Sequence, residues 1–365
     1  MDTVRIGVIG VGIIGKRHIS EYSEMPDVEI VAIADRNNQE LELVSEQYHI
    51  PNTYTDYMKL LERDDLDAVD ICLHNSLHAE ASISAMHSGK HVYCEKPLAA
   101  SYAQGFEMLR VSQNCGKMLH IQLKSLYLPE TKLAKRLIDT GHLGEIYFIR
   151  CTGLRRRGRP YVDGYATPAF VQKSVSGGGA VQDTGIYRLS QMLYLAGISE
   201  VKSISGKTFQ KVDMYEDRKI SSGYNVEEMG LGFVRFRNDM VLDMLEAWAA
   251  HFSSTEDSML LGNAGGLRLN PVTYYSTVND IEMTSTPDLD LVDTRWHRVD
   301  ALQYAYDSSQ RHWIAALQQK VPLINTAEIA LQCMLIQEGI YLSDERGREV
   351  VPEEVIEFSN LQANK

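Results

Sequence analysis

The chain opens on an almost unbroken apolar run, residues 4–9. A strand buried on both faces of a parallel sheet reads this way, rather than alternating inside and outside. Residues 28–34 form a second such run, and 68–73 and 91–94 are shorter ones. Between them lie segments with helical periodicity at 13–24, 38–48, 56–63, 77–88 and 101–115. Strand followed by helix, repeated, predicts right-handed βαβ units and an α/β fold with a doubly wound parallel sheet. A sixth strand is expected near 117–123, where the alternation stops. Pro129 then opens a helix over 130–140, closed by Gly141 in the C-cap position. Beyond it the pattern predicts longer antiparallel strands at 146–152, 201–209, 229–237 and 241–248, one helix introduced by glycines, and two late helices at 302–318 and 327–342. The change of character places a boundary near residue 124. Residues 1–124 are read as one domain and 125–365 as another.

At 365 residues, with 44% hydrophobic and 23% charged positions, the chain has the balance of a globular protein of about two domains. Lys and Arg number 36 against 49 Asp and Glu, a net charge of −13, which on average repels nucleic acid. Cys72, Cys94, Cys115, Cys151 and Cys333 are odd in number and never spaced as CxxC, so reduced thiols and a cytoplasmic location are expected. No apolar run reaches the roughly 18 residues of a membrane span, and the strand pattern begins too early for a signal peptide. Neither a membrane nor a nucleic-acid partner is expected.

Directly after the first strand stands GVGIIG, with Gly10, Gly12 and Gly15 at the G-x-G-x-x-G spacing. The first glycine permits a tight turn, the second lets a pyrophosphate approach the backbone, and the third lets helix pack on strand. Ile13 and Ile14 open the helix whose free amides would face the phosphates. Asp35 follows Gly15 by twenty residues at the end of the second run, where a carboxylate holds the ribose 2′-hydroxyl. A Rossmann domain for NAD is the reading. Arg36 beside Asp35 leaves NADP open. Leu73, His74, Asn75 and His78 follow the fourth strand at its carboxyl edge, where such sheets bind ligands. Helix capping and a metal cluster compete there with cofactor contact, and no metal is assigned.

The fifth strand ends in Glu95, Lys96 and Pro97, at the same edge as the phosphate loop. In the second half, Gly177 to Gly179 introduce a helix carrying Asp183 and Tyr187 four residues apart, hence on one helix face. An early-turn carboxylate serving the helix dipole and a half-buried aromatic are the bland alternatives.

The glycine motif, EKP at 95–97 and GGG-x-x-x-D-x-G-x-Y at 177–187, in this order, resemble the Gfo/Idh/MocA oxidoreductase family over nearly the whole chain. The resemblance implies a Rossmann domain followed by an α/β domain with a large open, mostly antiparallel sheet, the last helix packing back on the first domain. It implies Lys96 as the family lysine and Asp183 as the aspartate of the substrate-domain helix. Most members carry histidine at the position of Tyr187; a tyrosine resembles the dihydrodiol and xylose dehydrogenase branch and some sugar ketoreductases. The expected catalytic set is therefore Lys96, Tyr187 and Asp183, with Glu95, Lys96 and Gln122 near the cofactor. Tyr187 is expected to take the hydroxyl proton as hydride leaves the same carbon. A phenol of ordinary pKa about 10 reaches that role when nearby positive charge lowers it.

The sequence also departs from the family. Where many members read G-F-N-x-R-F-x-P, this chain has Gln122, Lys124, Leu126 and Pro129, so the usual arginine is missing, and His74 replaces a proline. Lys124, Arg156, Tyr165, Asp183 and Tyr187 are the expected substrate contacts. Arg155, Arg156, Arg157 and Arg159 would suit an anionic or heavily hydroxylated substrate, or form a solvated strand edge or subunit contact. Tyr161, Tyr165, Trp248 and His251 would stack on a sugar ring or pack in a core. The leading expectation is NAD(P)-dependent hydride transfer between nicotinamide and a secondary alcohol or ketone of a sugar, glycoside or cyclic polyol. Glycoside cleavage through transient oxidation and elimination, and a non-catalytic NAD-binding sensor, are the alternatives. An open sheet needs one face covered, so a homodimer or homotetramer is expected.

Overall fold

The computed structural model describes residues 3–363. In chain order the first elements are β1 (Val4–Ile9), α1 (Ile13–Ser23), β2 (Val28–Ala34), α2 (Asn38–Tyr48), β3 (Asn52–Tyr54), α3 (Tyr57–Leu61), β4 (Ala68–Ile71), α4 (Asn75–His87), β5 (His91–Cys94), α5 (Tyr102–Cys115) and β6 (Leu119–Ile121). After them come α6 (Pro129–Asp139), β7 (Ile146–Leu154), the short helices α7 (Lys173–Ser176) and α8 (Ala180–Asp183), α9 (Gly185–Ala196), β8 (Val201–Phe209), α10 (Glu216–Ser222), β9 (Met229–Phe236) and β10 (Val241–Ala247). Five more strands follow: β11 (Thr255–Glu256), β12 (Met259–Gly262), β13 (Gly266–Leu269), β14 (Val272–Val278) and β15 (Ile281–Ser285). The chain closes with α11 (Leu289–Val299), α12 (Ser309–Leu317), α13 (Thr326–Arg346) and α14 (Pro352–Ala363).

Two compact units result. One comprises residues 1–100, 104–122 and 300–328; the other comprises 101–103, 123–299 and 329–365. In the first, six parallel strands run in the order β3-β2-β1-β4-β5-β6, the doubly wound arrangement. The reversal of strand order lies between β1 and β4, so the loops after those strands share one edge. Val4, Ile6, Val8, Ile33 and Tyr93 are buried together with Trp313, Ile314 and Leu317 of α12. Sequence reading assigned 300–328 to the second domain, but this segment belongs to the first unit. The buried face of α12 supplies a share of the first core, and β6 is pinned to the start of α13 where the Ile121 amide donates to Thr326 Oγ1 at 2.8 Å. The helix expected over 302–318 is a 3-10 turn at Gln303–Tyr306 followed by α12, which Ser308 caps by accepting from the Arg311 amide.

The second unit is built on a mixed sheet in the order β15-β14-β13-β12-β7-β10-β9-β8, with β11 also paired to β7. Every pairing is antiparallel except β7 with β10. Helices α8, α9 and α13 cover one face of its centre. On that side Ile149 and Cys151 of β7, Met244 and Glu246 of β10 and Val234 of β9 are buried. The opposite face carries half-exposed Phe148, Arg150, Asp243 and Phe233 and exposed Leu231 and Arg235. Strands β8 and β9 match the expected spans closely. The strands between 255 and 285 were not anticipated: β11, β12 and β13 are short, and β15 is exposed along its whole length, so it lacks the apolar alternation that marks a half-buried strand.

Candidate active site

In the first unit the loop Gly10–Gly15 joins β1 to α1. Gly10 holds φ +92° and donates its amide to the Ala34 carbonyl at 2.7 Å. A Cβ on Gly15 would lie 1.9 Å from the Gly10 carbonyl oxygen, so only glycine lets α1 start there. Gly12 differs: nothing stands within 4 Å of where its Cβ would be, and it caps α1 with no side-chain acceptor. Ile13 is 82% exposed beside it. An open backbone at an uncapped helix start is what a pyrophosphate requires. Asp35 follows β2 and is fixed by two amides, Val11 donating to Oδ2 at 2.8 Å and Asn37 to Oδ1 at 2.9 Å. The glycine loop and the Asp35 carboxylate are thus bolted together. Arg36 is exposed next to it, and Ile14 is exposed as well. These residues fit NAD.

At the end of β4, Leu73 is half-buried, with its side chain 3.2 Å from the Cβ position of Gly10; His74 is exposed and caps α4, and Asn75 opens that helix. His78 does not share this exposure. It is wholly buried, its Nδ1 2.7 Å from the Pro97 carbonyl and its Nε2 3.0 Å from the Leu73 carbonyl. The expectation that His78 touches cofactor is therefore corrected: one turn into α4 it points inward, and its ring ties the Leu73 loop to the Lys96–Pro97 turn. Burial lowers its pKa.

Glu95 also turns inward. Its Oε1 lies 3.1 Å from His18 Nε2, while its Oε2 accepts from the Lys96 amide at 2.9 Å. The other His18 nitrogen lies 2.9 Å from Asp70 Oδ2 and 3.2 Å from Cys72 Sγ. Donor atoms of His18, Asp70 and Cys72 all fall within 4.8 Å of one another. Burial works to lower the His18 pKa, yet Asp70 and Cys72 together outweigh it and raise the value well above 6.5. Glu95 shows the reverse balance: burial pushes upward, and the bond and charge of His18 bring it below the usual carboxylate value. An imidazolium held between two carboxylates accounts for the cluster without a metal. Sequence reading missed His18 and Asp70. The available signals were a histidine three residues after Gly15 and a charge inside the apolar run of β4. Gln122 is half-buried, its Nε2 3.5 Å from Gln310 Oε1.

In the second unit Asp183 ends α8 and Tyr187 lies in the first turn of α9. The expected single helix is broken at Thr184. Its hydroxyl bonds back to the Ala180 carbonyl at 3.0 Å, and the Tyr187 amide reaches only three residues back, to the Thr184 carbonyl. Just past the break Gly185 packs closely on β10, where a Cβ would meet Met244 Cε at 2.5 Å. The residues are four apart, but not on one uninterrupted helix face. The glycine turn before α8 is clamped by Glu227, whose carboxylate accepts from the Gly179 amide at 2.8 Å, the Val181 amide at 3.0 Å and the Tyr341 hydroxyl at 2.8 Å. A Cβ on Gly179 would lie 1.8 Å from the Glu227 carbonyl, and one on Gly178 2.2 Å from Tyr341 Oη. Neither Glu227 nor Tyr341 was anticipated. The adjacent acids of NVEEMG, set against a strand, were the visible signal.

Lys124 Nζ stands 4.8 Å from the centroid of the Tyr187 ring. Tyr165 donates to the Gly158 carbonyl at 2.6 Å and receives Arg155 Nη1 at 3.2 Å. Burial pushes its phenol up to about 12, Arg155 opposing and Asp183 adding to the rise. The guanidinium beside Tyr165 thus belongs to Arg155. Arg156 is exposed, with its amide bonded to Ser254 Oγ at 3.2 Å. Arg159 is removed from the substrate set: it is fully buried, spent on Asp163, Glu228 and the carbonyls of Val212 and Asp213. Trp248 is buried in a core cluster with Val162 and Val226, whereas His251 is exposed.

Comparison with known proteins agrees with the fold. A family model described as an oxidoreductase family with an NAD-binding Rossmann fold matches residues 4–123, and a GFO/IDH/MocA C-terminal domain model matches 131–268. The chain is 28% identical over 355 residues to D-glucoside 3-dehydrogenase of Escherichia coli, covering 95% of this chain and 97% of that one. It is 30% identical over 210 residues to levoglucosan dehydrogenase of Pseudarthrobacter phenanthrenivorans, 54% of this chain and 52% of that one. A solved levoglucosan dehydrogenase in complex with NADH superposes with a TM-score of 0.79 at 20% identity, over 96% of this chain and 99% of the other.

Proposed function

Because this chain belongs to the Gfo/Idh/MocA oxidoreductase family, we propose that it moves hydride between NAD and a secondary alcohol or ketone of a sugar, glycoside or cyclic polyol. The observation that carries the reading is the open, uncapped glycine loop fixed to Asp35, followed in the same chain by a clamped turn that presents Asp183 and Tyr187. Two relatives named as dehydrogenases of a glucoside and of levoglucosan support the substrate class.

Gly10, Gly12, Ile13, Ile14 and Gly15 would hold the pyrophosphate, and Asp35 the adenosine ribose; Arg36, Leu73, His74, Asn75 and Gln122 complete the proposed cofactor contacts. Bound NAD accepts or returns the hydride. The protein's part is to move the proton. Tyr187 takes it from the hydroxyl whose carbon is oxidised, and the Lys96 ammonium donates to the same oxygen. Glu95 orders the Lys96 turn by accepting its amide. Asp183 accepts from neighbouring ring hydroxyls, and Arg155, steadied by Tyr165, donates to a further polar group. A second copy of this chain would cover the half-exposed sheet face at Phe148, Leu231 and Phe233; a monomer by light scattering would overturn that assembly.

The test is a panel of glucosides, anhydrosugars, inositols and free sugars with NAD and NADP, read by nicotinamide absorbance and product chromatography. Formation of NADH with at least one substrate is expected. A protein that binds NADH yet oxidises none of the panel refutes the reading. Tyr187→Phe is expected to lower kcat at least a hundredfold, the order of general acid–base catalysis. Near-normal turnover by that variant would move the proton role to Lys96.

A further inference from the structure

Lys124 opens the 3-10 turn Lys124–Tyr127 and is itself exposed, yet its turn is not loose. Thr131 donates its hydroxyl to the Ser125 carbonyl at 2.6 Å, and Gln191 Nε2 donates to Thr131 Oγ1 at 2.7 Å. Ser125, Thr131 and Gln191 are all buried. Gln191 lies one helical turn beyond Tyr187 on α9, so it shares that residue's side of the helix. Two buried hydrogen bonds therefore fasten the lysine's turn to the helix that carries the tyrosine, and the ammonium ends 4.8 Å from the ring centroid.

The cations of α6, β7 and α9 have partners of their own. On α6, Lys132 pairs with Asp293 at 2.7 Å, Lys135 with Asp139 at 2.5 Å, and Arg136 stacks on Trp296. On β7, Arg150 pairs with Asp243 at 2.8 Å. Arg188 of α9 itself is spent on Glu246 and Glu256. Of the acids, Asp183 of α8 precedes Tyr187 by four residues, Glu246 of β10 is paired, and Glu130 lies in the first turn of α6. Lys124 places its ammonium over the Tyr187 ring.

We infer that Lys124 is a positioning residue that sets the proton affinity of the Tyr187 phenol, its ammonium holding the ring by a cation–π contact and favouring the phenolate that accepts the substrate proton. The inference rests on the proposed role of Tyr187 as base and assigns part of the required positive charge to a residue of the same unit.

The experiment is a pH profile of kcat/KM for oxidation by the wild type, Lys124→Met, Lys124→Arg and Tyr187→Phe, with NADH affinity from fluorescence and folding from circular dichroism recorded for each. Lys124→Met is expected to move the acidic limb upward by about one pH unit. The rate then drops about tenfold below the limb and recovers above it, and Lys124→Arg restores the wild-type profile. An unmoved limb, whether with a raised substrate KM or with no change, overturns the inference while leaving the base assignment standing. Near-normal turnover by Tyr187→Phe instead removes the base assignment itself.

Discussion

His18 Nε2 lies 3.1 Å from Glu95 Oε1 while its Nδ1 lies 2.9 Å from Asp70 Oδ2, so one buried imidazolium joins the first helix to the turn that bears Lys96. His18 is 1% exposed and Asp70 0%, and removing the cation leaves a buried carboxylate without its counter-charge. His18→Gln is expected to destabilise the fold by about 3 kcal/mol. Since the folded pKa of His18 is raised above 6.5, its stabilising contribution is complete below that value and is lost as pH climbs through the higher folded value. Calorimetric Tm measured from neutral to alkaline pH checks this. The wild type should lose stability over that range, and the Gln variant should be lower at neutral pH and flatter. A flat wild-type curve would refute the charged imidazole.

Asp35 makes a separate prediction about cofactor choice. Its carboxylate faces the Val11 and Asn37 amides, with exposed Arg36 adjacent. Asp35→Ser keeps a short acceptor for one amide and removes the charge that repels a 2′-phosphate. Affinity for NAD is expected to fall about tenfold, the loss of one charge-assisted hydrogen bond, and the NADP-to-NAD ratio of kcat/KM to rise. An unchanged ratio in steady-state kinetics would place the ribose elsewhere.

How much of this was legible in the sequence depended on whether a residue's neighbours lie close along the chain. The glycine loop and Asp35 announce themselves because turn, helix start and strand end are local events. The span of β8 could be read because its burial shows in the residues themselves. Short β3, with only Asn52-Thr53-Tyr54, could not, since parallel pairing with β2 rather than an apolar run makes it a strand. The close packing of Met244 on Gly185, just past the break at Thr184, could not be foreseen because it comes from a strand some sixty residues away. The inward turn of Glu95 likewise required knowing that His18 waits beneath it.

Glu227 illustrates the same long-range dependence and can be tested. It satisfies two amides of the glycine turn and the Tyr341 hydroxyl with two carboxylate oxygens. Glu227→Gln puts an amide donor where an acceptor is needed, leaving a buried N–H unpaired, at about 2 kcal/mol. Because the turn launches α8, kcat is expected to fall with NADH affinity unchanged, since no residue of this turn belongs to the glycine loop. Tyr341→Phe removes one donor only and should cost less. Urea unfolding together with fluorescence titration of NADH separates these outcomes; equal loss of NADH binding would contradict them.

Glu338 of α13 carries the last prediction. It accepts from the Tyr102 amide, and Tyr102 and Ala103 belong to the second unit with it, the Ala103 amide donating to Ser359 Oγ at 3.0 Å. Burial pushes the Glu338 carboxyl up to about 7, against the pull of the Tyr102 amide and Ser359. A carboxyl whose folded value exceeds its unfolded 4.5 stabilises fully below 4.5 and loses that contribution as pH rises through 7. Glu338→Gln keeps a carbonyl acceptor for the amide and never ionises. Between pH 5 and 7 the wild type should therefore lose stability relative to the variant by roughly 1 kcal/mol or more per unit, and the difference should level off above the folded value. Urea midpoints of both proteins at four pH values suffice, and parallel curves would show that the Glu338 carboxyl titrates as an ordinary one.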